Sequence, residues 1–160
     1  MKTGDILACR GKHLLAKLIM GFTNSYYSHV AIVVIIQEKV YVVEMQRTGC
    51  DLISFENWQK KYNYEFDVFE PIDPVSIREI LSKASITKYD LRSLLIRQPI
   101  KIIKEKLFKK TLTLKKVRNE DSKMTCSEFI AYLYGMEPYY DMTPDDIVKE
   151  CISRNYKQSS

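Results

Sequence analysis

Residues 29–45 read HVAIVVIIQEKVYVVEM, two runs of mostly β-branched and apolar side chains around a short polar interruption. The first run covers 29–36 and the second covers 40–45, with Gln37, Glu38 and Lys39 between them. Short runs of this composition, separated by a few polar residues, are typical of paired strands. The stretch therefore predicts a β-hairpin, and the rest of the fold is interpreted around it.

The register of this hairpin decides which side chains share a face. A two-residue loop at Gln37 and Glu38, or a four-residue loop extended by one residue on each side, pairs Glu44 with Ala31. His29 and Ala31 lie on the same face because side chains alternate along a strand. Glu44 then lies diagonally opposite His29, within side-chain reach. A three-residue loop would instead place Glu44 on the other face.

The remaining patterns place strands early in the chain and helices late. We expect further strands over 4–9 and 65–69 and an early helix over 12–21. Apolar side chains at helical spacing predict helices over 74–85, 91–108 (interrupted near Pro99), 125–134 and 144–153. This order favours an α+β fold in which an antiparallel sheet packs against helices. A chain of 160 residues fits one domain, predicted as 1–155, followed by a flexible tail at 156–160.

Composition and charge exclude several classes of protein. Hydrophobic residues make up 46% and charged residues 28% of the chain, as in soluble globular proteins. No run reaches the roughly 20 apolar residues of a membrane-spanning helix, and the N-terminus lacks the apolar run of a signal peptide, so we expect a cytoplasmic protein. The four cysteines and two histidines have irregular spacings, which argue against a structural zinc site, and disulfides are not expected without a secretory signal.

Cys126 has the sequence setting of a reactive thiol. Thr125 and Glu128 fit a capping box, with Thr125 at the N-cap and Glu128 three residues later. Cys126 is thereby predicted in the first turn of a helix, where free backbone N–H groups and the helix dipole favour a thiolate. A thiol nucleophile also needs a base that titrates near neutral pH, and His29 is a better candidate than His13, which lies in the predicted 12–21 helix.

These motifs and their order resemble those of a known enzyme family. The motifs that show the resemblance are Gly4-Asp5-Ile6-Leu7, Ser28-His29-Val30-Ala31, an acid on the next strand, Thr125-Cys126-Ser127-Glu128 and Thr143-Pro144-Asp145-Asp146. Together they are similar to the circularly permuted papain-fold cysteine hydrolases of the NlpC superfamily, the YiiX-like proteins related to the lecithin:retinol acyltransferase group. The resemblance implies a permuted papain-like fold, Cys126 as nucleophile, His29 as base and Glu44 as the residue that orients the imidazole.

The resemblance predicts a cysteine hydrolase that cleaves an amide or ester bond in a small peptide or lipid-like acyl substrate, without a cofactor or metal. A second hypothesis comes from the basic segment 97–118, which has nine basic residues and the single acid Glu105. Lys101, Lys104, Lys109 and Lys110 alternate there with apolar residues, as in segments that attach to anionic membranes or to nucleic acid. The alternative is therefore a non-catalytic binding module. No motif for sequence-specific nucleic-acid recognition is present.

Overall fold

Five antiparallel strands form the main sheet in a computed structural model that describes residues 1–12, 16–17, 20–21, 25–46, 49–62, 65–89, 123–137, 139 and 142–158. The strands are β1 (Ile6–Arg10), β2 (His29–Ile36), β3 (Lys39–Gln46), β4 (Gly49–Ser54) and β5 (Glu65–Phe69). Their order across the sheet is β4-β3-β2-β1-β5. Two short strands, β6 (Lys88–Tyr89) and β7 (Lys123–Met124), pair in parallel as a separate sheet.

The hairpin of β2 and β3 has the predicted register. Ile36 pairs with Lys39, so the loop contains only Gln37 and Glu38, with φ angles of 49° and 64°. Two successive residues with positive φ are the signature of the tight turn whose twist matches that of the flanking strands. Ala31 therefore pairs with Glu44, as predicted. His29 begins β2 and pairs with Cys9 of β1 on the other side.

Four helices accompany the main sheet in the part of the chain that the structure describes. They are α1 (Phe55–Tyr62), α2 (Ile77–Ile86), α3 (Cys126–Leu133) and α4 (Pro144–Gln158). The sequence prediction missed α1 and β4, as well as β6 and β7. It also began α2 three residues early, because Ser76 is the N-cap and its hydroxyl accepts a hydrogen bond from the Glu79 N–H.

The C-terminal helix is longer than predicted. α4 continues past residue 153 to Gln158. Arg154 supplies a physical reason, because its guanidinium pairs with Asp73 outside the helix and with Glu150 one turn earlier. The domain limits 1–155 and the flexible tail 156–160 stay a prediction, although α4 extends into that tail.

Side chains on the two faces of the sheet form two separate cores. One face packs against α2, α3 and α4 and contains residues such as Ile32, Val43 and Phe129. The other face packs against α1 and contains Leu7, Cys9, Ala31, Val33, Val42 and Trp58. Strand alternation places His29 and Glu44 on this second face with Ala31.

Some predicted features lie wholly or partly outside the described residues. The helix over 91–108 and the basic segment 97–118, with Lys101, Lys104, Lys109 and Lys110, are outside them. The helix over 12–21 is described only in part, and Ala16, Lys17, Met20 and Gly21 are helical. No helix among the described segments is long and apolar enough to cross a membrane.

Candidate active site

A buried hydrogen bond joins His29 to Glu44 across the hairpin. His29 Nε2 lies 2.9 Å from Glu44 Oε2. The contact follows from the register, since Glu44 pairs with Ala31 and is therefore diagonal to His29. Glu44 is only 1% exposed, whereas the His29 side chain is 12% exposed at the start of its strand. The imidazole is thus fixed at Nε2 by a carboxylate that solvent does not reach.

Cys126 occupies the first turn of α3, and a complete capping box fixes that turn. The Glu128 N–H donates to Thr125 Oγ1 at 3.4 Å, and the Thr125 N–H donates to Glu128 Oε2 at 2.8 Å. Both capping residues are buried, and Cys126 itself is 7% exposed. This confirms the predicted helix start. The thiol is held at the positive end of a helix that is buried along most of its length.

The Cys126 thiol and the His29 imidazole form a hydrogen bond to each other. Because Nε2 of His29 is already bonded to Glu44, Nδ1 is the ring nitrogen left for the sulfur. The structure therefore brings together all three residues that the sequence singled out. They come from β2, β3 and the start of α3, three elements that the fold brings together at the first residue of β2.

The charges of this cluster favour a thiolate paired with an imidazolium. Burial alone would raise the pKa of Cys126, but His29 and the backbone N–H groups of Val30 and Ser127 lower it below its ordinary value. Burial likewise opposes the charged form of His29, yet its pKa is raised because Cys126 and Glu44 both stabilise the imidazolium. The neutral pair is thereby shifted towards the ion pair.

Glu44 remains a carboxylate despite its burial. Burial favours the protonated acid, but hydrogen bonds from His29 and Trp58 hold the pKa of Glu44 below its ordinary value. A buried charge is costly unless it is paired and hydrogen-bonded, and both conditions are met at Oε2 of Glu44. The carboxylate can therefore fix the orientation of the imidazole and stabilise its positive charge.

The other three cysteines have the opposite electrostatic setting. Burial raises the pKa of Cys9 well above its ordinary value, and it raises the pKa of Cys50 and of Cys151 to about 12. None of the three is in a disulfide. Cys126 is thus the one cysteine of the four whose surroundings favour the thiolate, which the spacing of cysteines alone did not reveal.

Trp58 is a site residue that the sequence analysis missed. Its indole N–H donates to Glu44 Oε2 at 3.1 Å, the same oxygen that contacts His29. Trp58 is 1% exposed and packs against Phe55, Phe66 and Tyr62. The signal for it was present, because aromatic residues at 55, 58 and 62 follow helical spacing and this is the single tryptophan of the chain. Trp58 covers the carboxylate and donates to it.

The described residues contain no group of three or more histidine, cysteine, aspartate or glutamate side chains arranged to hold a metal ion. The candidate site itself has one histidine, one cysteine and one carboxylate, and these are bonded to one another. The expectation that the chemistry needs no cofactor or metal stays a prediction.

Solved structures share this α+β architecture. The chain is similar to the crystal structure of the metalloprotein YiiX from Escherichia coli O157:H7 (DUF1105), with 20% sequence identity and a TM-score of 0.51. The similarity covers 83% of this chain and 64% of the YiiX chain, so this chain spans less than two thirds of that protein. No family model and no curated protein matches the sequence.

At this identity the similarity to YiiX concerns the fold alone. The fold of this chain is YiiX-like, and the predicted α+β class is confirmed: an antiparallel sheet packs against helices. The strand that carries His29 precedes the helix that carries Cys126.

Selective alkylation tests the electrostatics of the four cysteines. At pH 7, iodoacetamide should label Cys126 well before Cys9, Cys50 or Cys151, because only Cys126 has a lowered pKa. Labelling should be lost only when the pH falls through that lowered pKa, since protonation then removes the thiolate. Mass spectrometry of the labelled peptides at a series of pH values gives the profile. Equal labelling of all four cysteines, or a Cys126 profile with an ordinary thiol midpoint, contradicts the ion pair.

A Trp58→Phe variant tests the indole N–H. The substitution keeps an aromatic ring but removes the donor to Glu44, so the pKa of Glu44 should rise and the Cys126 labelling rate should fall several-fold. Loss of a hydrogen bond to a buried charge should also cost about 1–3 kcal/mol of stability. Phe55→Leu is the matched control, because Phe55 stacks on Trp58 without donating to Glu44. If both variants slow labelling only in proportion to their lost stability, the indole N–H has no role in the site.

Proposed function

We propose that this protein is a cysteine hydrolase of the NlpC superfamily, in which Cys126 is the nucleophile, His29 the base and Glu44 the residue that orients the imidazole. The observation that carries the proposal is the continuous hydrogen-bonded series from the Cys126 thiol through His29 to Glu44. A nucleophile, a base within hydrogen-bond reach and a third group that orients the base are the recognised parts of a thiol hydrolase. The YiiX-like fold is compatible with the papain-like fold that this proposal needs.

The reaction would begin from the ion pair. The thiolate of Cys126 attacks the carbonyl carbon of an amide or ester, and the carbonyl oxygen becomes an oxyanion. Backbone N–H groups at the start of α3 are suited to stabilise that oxyanion, because they belong to a rigid, capped helix terminus. The His29 imidazolium then gives its proton to the departing amine or alcohol, and the acyl group stays on the sulfur as a thioester.

Water completes the cycle in the second half-reaction. His29, now neutral, takes a proton from water, which attacks the thioester carbonyl and releases a carboxylic acid. As the acid leaves, the C–S bond breaks, and the Cys126 thiolate pairs again with the protonated imidazole. Glu44 keeps Nε2 of His29 hydrogen-bonded throughout, so the ring presents Nδ1 to the sulfur and to the leaving group. Transfer to an alcohol or amine instead of water would use the same acyl-enzyme.

The proposed substrate is a small peptide or a lipid-like molecule with an acyl bond. Cys126 is 7% exposed and the His29 side chain 12% exposed, so the reacting bond must reach two groups that solvent barely contacts. Tyr26 lies three residues before His29, is 64% exposed and offers an aromatic surface to solvent. Tyr27 does not, because it is buried and its hydroxyl donates to Asp67.

Acyl capture tests the proposal. The purified protein is incubated with thioester, ester and peptide-amide probes, and intact mass is followed before and after quenching. We expect an acyl adduct on Cys126, no adduct in Cys126→Ala, and turnover lowered about 10²- to 10⁴-fold in His29→Ala, the usual contribution of a general base. Cys50→Ala is the matched control, because Cys50 is half-buried with a raised pKa and should leave turnover unchanged.

Two outcomes would contradict the proposal. Adducts that persist in Cys126→Ala would place the chemistry elsewhere. Salt-sensitive binding to anionic vesicles or to nucleic acid, lost when Lys101, Lys104, Lys109 and Lys110 are neutralised and without Cys126-dependent turnover on any probe, would favour the binding module instead.

A further inference from the structure

The loop ahead of His29 is polar in sequence but mostly buried. Ser25, Tyr27 and Ser28 are each less than 9% exposed, and Tyr26 alone faces solvent. Buried polar groups need hydrogen-bond partners, because each one left without a partner costs free energy. The partners of this loop therefore determine where His29 begins its strand.

One side chain from α4 accepts hydrogen bonds from three successive residues of this loop. Asp145 Oδ1 accepts from the Ser25 hydroxyl at 2.7 Å and from the Tyr27 N–H at 3.1 Å, while Oδ2 accepts from the Tyr26 N–H at 2.9 Å. Asp145 is about 120 residues away from its partners in the sequence. Hydrogen bonds to a carboxylate are stronger than those between neutral groups. Asp145 thus fixes the loop from outside the sheet.

The other end of the loop is fixed to the sheet. The Ser28 N–H donates to the Cys9 carbonyl oxygen at 2.9 Å, and Ser28 Oγ accepts from the Gly11 N–H at 2.9 Å. His29 follows immediately. Its backbone is therefore held by β1 on one side and, through three loop residues, by α4 on the other.

The same segment that carries Asp145 also contacts the start of the Cys126 helix. The Ser127 hydroxyl donates to the Met142 carbonyl oxygen at 2.6 Å. Met142 and Asp145 are separated only by Thr143 and Pro144, and Thr143 and Asp146 fix this start of α4 by reciprocal hydrogen bonds. Residues 142–145 therefore bridge the two halves of the site, with Ser127 beside Cys126 at one end and the loop before His29 at the other.

We propose that Asp145 is a positioning residue that holds His29 in register with Cys126. The inference rests on the proposed function, since it concerns the geometry of the same nucleophile and base. A carboxylate suits this role because three donors converge on two acceptor oxygens. An asparagine would keep one acceptor oxygen and would point its own N–H groups at a donor, so it could satisfy only part of the loop.

Three variants test this role in the full chain: Asp145→Ala, Asp145→Asn and the matched control Arg154→Ala. Arg154 lies further along the same helix and pairs with Asp73 and Glu150, so its loss weakens α4 away from residues 142–145. The measurements are the rate of Cys126 alkylation by iodoacetamide between pH 5 and 9, the hydrogen exchange of the Tyr26 and Tyr27 amides, and the melting temperature.

Asp145→Ala should lower the alkylation rate at pH 7 by about 10- to 100-fold, as expected when a base is displaced by about 1 Å from its partner. Its pH profile should move towards that of an ordinary thiol, because Cys126 loses contact with His29. The Tyr26 and Tyr27 amides should exchange faster. Asp145→Asn should fall between the wild type and Asp145→Ala. Arg154→Ala should lower the melting temperature while keeping the wild-type pH profile, because it loses its pairs with Asp73 and Glu150 only.

The outcomes separate this inference from the proposed function. If the wild-type Cys126 reacts no faster than Cys50, the proposed function is wrong and the positioning role is overturned with it. If the wild type is reactive but Asp145→Ala keeps its rate and pH profile, the positioning role alone is overturned. Parallel losses in Asp145→Ala and Arg154→Ala that follow the melting temperature would also overturn it, because they would reflect the stability of α4 only.

Discussion

The arrangement of this protein depends on the buried hydrogen bond between Glu44 and His29. A carboxylate removed from solvent costs several kcal/mol, so the fold must supply partners wherever such a group is placed. Glu44 receives them from His29 and from Trp58, which both bond to Oε2. These contacts require the β2–β3 register and the helix α1, which packs on the sheet face that carries Glu44. A one-residue slip of the hairpin would move Glu44 to the opposite face and break them.

Two chain segments, the β2–β3 hairpin and the helix α3, supply the groups of the site. The hairpin places the base and its carboxylate next to each other on the sheet face that packs against α1. The capped helix α3 supplies the thiol, and its backbone N–H groups and dipole are already oriented. Neither segment alone shifts both pKa values, because the lowered pKa of Cys126 needs His29 and the raised pKa of His29 needs Cys126 as well as Glu44. The site is therefore a product of tertiary structure.

Local patterns were sufficient to predict the parts of the site that are local. A two- or four-residue loop between the strands predicted the Ala31–Glu44 pairing, and the capping box predicted the start of the Cys126 helix. The partners that stabilise these parts were missed because they are distant in sequence or lack a strong pattern. The helix α1 follows β4 directly, so no polar loop in the sequence separates the two elements. β4 contains Gly49 and Asp51, which weaken its strand pattern. The role of Asp145 depends on contacts with a loop near residue 26, which only the fold brings into reach.

The most direct test of the central claim is the titration of His29 by NMR in the wild type and in Cys126→Ala. His13 is the only other histidine of the chain, so two imidazole signals have to be assigned. The ion pair requires a His29 pKa above the ordinary value of about 6.5 in the wild type. It also requires a clear fall in Cys126→Ala, because the thiolate contributes to the raised pKa. A His29 that titrates at the ordinary value, with no change when Cys126 is removed, would contradict the coupling of nucleophile and base.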